Sequence, residues 1–121
     1  MSSFIERHDL WSAAQSAAAK EMAKRIASEG LEVVRVAFAD QHGILRVKSL
    51  VASDAMKAMQ AGVRLVGTIL LKDTANKTAW PVFTKGGGFG TKDWEGAADV
   101  VLVPDPTTFT VLPWASKTGW V

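Results

Sequence analysis

Val33-Val34-Arg35-Val36-Ala37-Phe38-Ala39-Asp40-Gln41-His42-Gly43-Ile44-Leu45-Arg46-Val47-Lys48-Ser49-Leu50 is the stretch whose reading decides the fold. Val34, Val36 and Phe38 alternate with Val33, Arg35 and Ala37, the period of two expected of a half-buried strand. After Asp40-Gln41-His42-Gly43 the β-type run resumes at Ile44, Leu45, Val47 and Leu50. Aspartate opening a turn, with glycine at the position that needs positive φ, predicts a short hairpin loop with a bulge. His42 lies in that turn with no second histidine or carboxylate cluster nearby in sequence, so it reads as an exposed turn residue. His8 reads the same way.

Outward from the hairpin, Trp11, Ala14, Ala18, Met22 and Ile26 recur at spacings of three and four and predict an amphipathic helix from Asp9 to Glu29. Asp9 is the expected cap, Gly30 the expected stop, and Glu21 with Arg25 an expected surface pair. Beyond the hairpin, Ser53 is the expected cap of a short helix, Asp54 to Ala61, with Met56 and Met59 inward and Gly62 ending it. Arg64 to Leu71 reads as a strand, Lys72 to Lys77 as a polar turn and Trp80 to Phe83 as a short β segment. A Gly-rich loop over 84–96 leads to strands at Val100 to Val103 and Phe109 to Leu112. Hairpin, helix, then further strands is the order of an α+β, ubiquitin-like β-grasp, a mixed sheet wrapped across one helix. The expected layout is an added N-terminal helix over 1–30 and the β-grasp over 31–121, as one folding unit.

Composition narrows the function classes. With 121 residues, 48% of them hydrophobic, the chain can bury one core. Its 14 basic and 12 acidic residues are scattered, which argues against a nucleic-acid partner. The absence of cysteine excludes a disulfide framework and a thiolate metal site. Charged Glu6, Arg7 and Asp9 are unlike a signal peptide, and the uncharged run from Leu65 to Leu71 is far below spanning length, so no membrane partner and a cytoplasmic location are expected.

The segment Lys85-Gly86-Gly87-Gly88-Phe89-Gly90-Thr91-Lys92 invites a phosphate-loop reading, but Thr91 and Lys92 stand in the wrong order for one, and the dinucleotide fingerprint lacks its third glycine. Neither histidine has a partner at metal-ligand spacing, and Asp93, Glu95 and Asp99 are a sprinkle of carboxylates. No cofactor-binding or metal-ligating residue is therefore assigned. Tryptophans at 11, 80, 94, 114 and 120 are too dispersed for one aromatic platform and read as core and interface packing.

Ala97-Ala98-Asp99-Val100-Val101-Leu102-Val103-Pro104-Asp105-Pro106-Thr107-Thr108-Phe109-Thr110-Val111-Leu112-Pro113-Trp114 reads as a strand, a Pro-Asp-Pro turn and a second strand closed by Pro-Trp. Together with the Val33 to Asp40 strand and its Asp40-x-x-Gly43 turn, the Ser53 helix and the Asp73 turn, it resembles the N-terminal β-grasp domain of the glutamine synthetase family. The four segments cover most of residues 30 to 114 in order. The resemblance implies a ligase in which ATP phosphorylates the side chain of glutamate and ammonia or another amine displaces the phosphate. It also implies ATP with magnesium or manganese, a much larger catalytic domain absent from this chain, and neighbouring subunits of a homo-oligomer whose active site this domain completes. The chain alone is not expected to be catalytic.

In that family an aspartate in an Asp-Gly-Ser-Ser turn binds ammonium and takes its proton. By order, Asp73 in Leu71-Lys72-Asp73-Thr74-Ala75-Asn76 is the nearest match, and a carboxylate suits the task. Gly-Ser-Ser is replaced here by Thr-Ala-Asn; family variants that use other amines also lack that turn. The residues themselves leave two alternatives open. Asp73 reads equally as an Asx turn between strands, and the whole chain as a stand-alone β-grasp interaction module without catalysis.

Overall fold

A computed structural model describes residues 2–88, 92–96 and 98–121. The chain divides into two compact units, the first made of Met1–Phe38, Arg46–Val63 and Val103–Val121 and the second of Ala39–Leu45 and Arg64–Leu102.

In the first unit, α1 (Phe4–Arg7) and α2 (Ala13–Ser28) each open on a serine capping box. Ser3 and Glu6 satisfy one another's free amides, and so do Ser12 and Gln15. Asp9 is not the cap expected of it: its φ of 49° breaks the chain between the two helices. Gly30, at φ 60°, ends α2 as expected. The amides of Gly30 and Leu31 donate to the carbonyls of Ala27 and Ile26 in a Schellman arrangement. On the surface of α2, Glu21 pairs with Lys24, and Arg25 pairs with Glu29 rather than with Glu21.

Strands β1 (Val33–Ala39) and β2 (Leu45–Val51) follow, joined by a turn too short for a crossover and therefore antiparallel. Helix α3 (Ala52–Ala61) starts directly on Val51 without a side-chain cap, so Ser53 lies inside its first turn. Gly62, at φ 79°, ends it. The sheet order is β2-β1-β6-β5, with β5 (Thr110–Val111) and β6 (Thr118–Trp120) contributed by the last dozen residues. β6 enters beside β1 in parallel, Val34 facing Gly119, and pairs antiparallel with β5. A hairpin, one helix and a late strand returning parallel to the first is the β-grasp arrangement.

Val34 from the sheet, Ala55 and Met59 from α3, and Ala19 and Met22 from α2 share one buried cluster with Ile5, Trp11 and Leu31. α2 packs against α3 and the 3₁₀ turn Pro106–Thr108. The indole N–H of Trp11 donates to the Pro104 carbonyl at 2.9 Å, satisfying its one polar atom. In β6 the Phe109 ring lies directly over Gly119, where a Cβ would collide with it. A strand glycine covered by an aromatic ring recovers packing that its missing side chain cannot supply.

The second unit holds β3 (Val63–Val66), which begins at its border and pairs with β4 (Asp99–Leu102). The strand expected over 64–71 stops early, because Gly67–Leu71 coils into a 3₁₀ turn. Trp80 to Phe83 is likewise a turn and not a β segment: Val82 N–H donates to Trp80 and Thr84 N–H to Pro81, and Pro81 has no amide to offer a ladder. Leu71 and Val82 form this unit's small core, with Trp94 against it.

Candidate functional site

Asp40 and Asp73, both in the second unit, build the same turn. In the first, Gly43 N–H donates to the Asp40 carbonyl and Asp40 N–H to Ile44, both at 2.9 Å, and Gly43 takes φ 73°. In the second, Asn76 N–H donates to the Asp73 carbonyl at 3.0 Å and Asp73 N–H to Lys77 at 2.8 Å, with Asn76 at φ 62°. Asparagine reaches the left-handed region more readily than other side chains, so Asp-x-x-Asn closes as Asp-x-x-Gly does.

The carboxylates repeat the match. Oδ1 of Asp40 accepts the amides of His42 and Ile44, both at 2.9 Å, and Oδ1 of Asp73 those of Ala75 and Lys77 at 2.9 and 2.8 Å. Asp40 is buried, at 7% exposure, whereas Asp73 is partly exposed. Oδ2 of Asp73 accepts no hydrogen bond among the described residues, which leaves a carboxylate oxygen able to hold a cation or receive a proton.

The two turns touch. Gln41 Nε2 donates to the Lys72 carbonyl at 2.9 Å, and His42 Nε2 lies 2.9 Å from the same oxygen. A carbonyl oxygen only accepts, and its two lone pairs admit both donors, so Nε2 of His42 carries the proton. Lys72 immediately precedes Asp73. Sequence reasoning placed His42 correctly in an exposed turn and missed that the fold lays this turn against the Lys72 carbonyl, 30 residues on and just before the candidate carboxylate. No local signal reports such a contact. Lys72 Nζ donates to Thr78 Oγ1 at 3.1 Å across the base of the second turn.

The other candidates lie elsewhere. His8 packs on Phe4, ring centroids 4.7 Å apart. Among the described residues, no three histidine, aspartate or glutamate side chains gather as a metal set. Phe89-Gly90-Thr91 of the Gly-rich segment, and Ala97, lie outside the described residues. Trp11 is core, while Trp80 and Trp114 are 46% and 81% exposed. A groove of about 450 Å³ in the first unit, lined by Ile5, Trp11, Ala19, Met56 and Gln60 among others, contains none of the chemistry assigned from sequence. No helix among the described residues is long and apolar enough to cross a membrane.

No protein-family model matches the chain. It is 40% identical over 121 residues to a gamma-glutamylanilide synthase from Acinetobacter sp, an alignment covering 98% of this chain and 24% of that one. That relative belongs to the glutamine synthetase family, and this chain matches one part of it along nearly its whole length. This domain therefore spans about a quarter of the length of the curated relative it matches. Two solved structures share its fold. "GmaS/ADP complex-Conformation 1" superposes with a TM-score of 0.57 at 23% identity, over 82% of this chain and 19% of that one. "Apo GmaS without ligand" superposes with a TM-score of 0.56 at 23% identity, over 81% and 19%. The expected α+β β-grasp with an added N-terminal helix agrees with this domain's structure.

Proposed function

We propose that this chain is the N-terminal domain of an ATP-dependent ligase that joins the γ-carboxyl group of glutamate to an amine through γ-glutamyl phosphate, and that it completes the active site of a neighbouring subunit in a homo-oligomer. The observation that carries this reading is 40% identity along nearly the whole domain to part of a gamma-glutamylanilide synthase. The name of that relative, and Thr74-Ala75-Asn76 where an ammonia-using turn has Gly-Ser-Ser, support an aromatic amine as the nucleophile. Exposed Val47 and Val51 on edge strand β2 offer apolar surface of the kind a neighbouring subunit covers.

ATP and the divalent cation, magnesium or manganese, belong in this proposal to the remainder of the enzyme. Asp73 and Asp105 each serve a turn or a cap, and Lys85-Gly86-Gly87-Gly88 lacks the spacing of a phosphate cradle. The domain's own contribution is Asp73. An amine N–H points at Oδ2; the nitrogen lone pair forms the C–N bond at the γ-carbonyl carbon, phosphate departs with the electrons of the C–O bond, and Oδ2 takes the proton that nitrogen sheds. Ammonia is a cation near neutral pH and needs the carboxylate to be held as well as deprotonated. An arylamine, its lone pair shared with the ring, arrives neutral and needs it only as a base.

The test uses the full-length protein with glutamate, ATP and magnesium, offered aniline or ammonium, with the amide product and phosphate release followed separately. Formation of γ-glutamylanilide is the expected result, with Asp73→Asn lowering kcat far more than it raises KM for aniline. Absence of an amide product with either amine would sink the ligase reading and leave the interaction module.

A further inference from the structure

We infer that Gln41 and His42 are positioning residues for Asp73, acting through the Lys72 carbonyl; the inference rests on the proposed role of Asp73. The Lys72 carbonyl belongs to the peptide unit that leads into Asp73, so two donors at 2.9 Å fix the plane from which the Asp73 side chain departs. Thr74, Ala75, Asn76 and Lys77 are exposed, so apolar packing does not hold the tip of this turn. Polar contacts from the neighbouring turn supply the anchor.

That anchor is itself held. The backbone N–H of His42 donates to Oδ1 of Asp40, which is buried, and Gly43 closes the same turn. A continuous path thus runs from a buried carboxylate, through the His42 backbone and ring, to the peptide before Asp73. Ordering two exposed, rotamer-rich side chains on one carbonyl costs conformational entropy. A turn that only reverses the chain does not require it, whereas a base that must meet a nitrogen within a few tenths of an ångström does.

Two readouts test this, one of which needs no catalysis. Amide hydrogen exchange at Ala75 and Lys77, the donors to Asp73 Oδ1, is measured in this chain as wild type, as Gln41→Ala/His42→Ala, and with His42→Gln, whose amide nitrogen stands in for Nε2. Amine-step kinetics are measured for the same variants of the full-length protein, beside Asp73→Asn. The double variant is expected to exchange about 5- to 20-fold faster at those amides and to lower kcat of the amine step about ten-fold with little change in KM for the amine, with glutamate phosphorylation retained and His42→Gln restoring most of both. Unchanged exchange at Lys77 would overturn the positioning role. Faster exchange with unchanged amine kinetics, while Asp73→Asn still impairs the amine step, would reduce the contact to a structural staple. An Asp73→Asn enzyme with a normal amine step would instead remove the role of Asp73 itself, and the inference with it.

Discussion

Asp40 and Asp73 hold two turns of the same design, each accepting two backbone amides through one oxygen, yet one carboxylate is buried and the other faces outward. The shared geometry is a folding device, because an Asx cap satisfies amides that a tight turn leaves without partners. It therefore says nothing about chemistry. What separates the two is the second oxygen of Asp73, without a hydrogen-bond partner among the described residues, and the two side chains that the Asp40 turn sends across to its neighbour. One turn serves as foundation, and the other presents a group.

The largest expected effect tests that division directly. In the full-length protein, Asp73→Asn should slow the amine-dependent step by about 10²- to 10⁴-fold, the range for loss of a positioned base. Asp40→Asn should leave the rate per folded molecule near wild type. Single-turnover capture of the amine by preformed γ-glutamyl phosphate, at matched thermal stability, reads the step. Equal losses from the two variants would erase the distinction.

Stability should rank the pair the other way. Asp40→Ala leaves the amides of His42 and Ile44 without their acceptor beside a buried side chain, and is expected to cost about 2 kcal/mol. Asp73→Ala exposes its amides to water and should cost about 1 kcal/mol or less. Urea denaturation with unchanged m-values measures both. A smaller contrast comes from the closing residues. A Cβ at Gly43 meets nothing within 4 Å, so Gly43→Ala carries only the left-handed backbone strain of about 1 kcal/mol, while Asn76→Gly should stay within about 0.5 kcal/mol of wild type.

The smallest effect comes from a third aspartate cap. Asp105 accepts from the hydroxyl of Thr107 at 2.7 Å and from its amide at 3.0 Å, and these bonds hold its carboxyl below the ordinary 3.8. A lowered folded value means the stabilisation is fully present above the ordinary carboxylate value and is lost as pH falls through the lowered one. Asp105→Asn should therefore flatten the acid limb of the stability curve by lowering stability slightly at neutral pH and leaving it nearly unchanged in strong acid. The group is fully exposed, so solvent screens its contribution to stability. Chemical denaturation of both proteins across the acid range measures it.

Where a structural signal spans a few residues, the sequence carried it. The alternation around Val34 and Val36, the Asp40-x-x-Gly43 turn, the glycine stops at Gly30 and Gly62 and the inward Met59 all appear as expected. Expectation and structure part where two local signals compete. Asp9 and Ser12 both have the chemistry of a cap, and the Gln15 reciprocal bond decides for Ser12. Arg64 to Leu71 is apolar enough for a strand, but Gly67 approaches the Ala98 carbonyl so closely that no side chain fits, and the chain coils there. Asp73 is legible both as a turn former and as a candidate base, and its hydrogen bonds establish the first.

The sequence by itself determined the hairpin, helices α2 and α3, the turns at Asp40 and Asp73 and, through its resemblance to a family, where to look for a carboxylate. Each depends on spacings of two to four residues, over which side chain and backbone act on one another whatever the rest of the chain does. Tertiary structure alone decided the inner strand β6. Thr118-Gly119-Trp120 has no strand period and a glycine at its centre, and it becomes a strand because β1 and β5 offer it two edges and Phe109 covers the glycine. Tertiary structure also decided which aspartate is buried, and it set Gln41 and His42 on the carbonyl before Asp73. Burial and long-range contact belong to the folded chain, because they depend on what the other residues pack against and not on the identity of the residue itself.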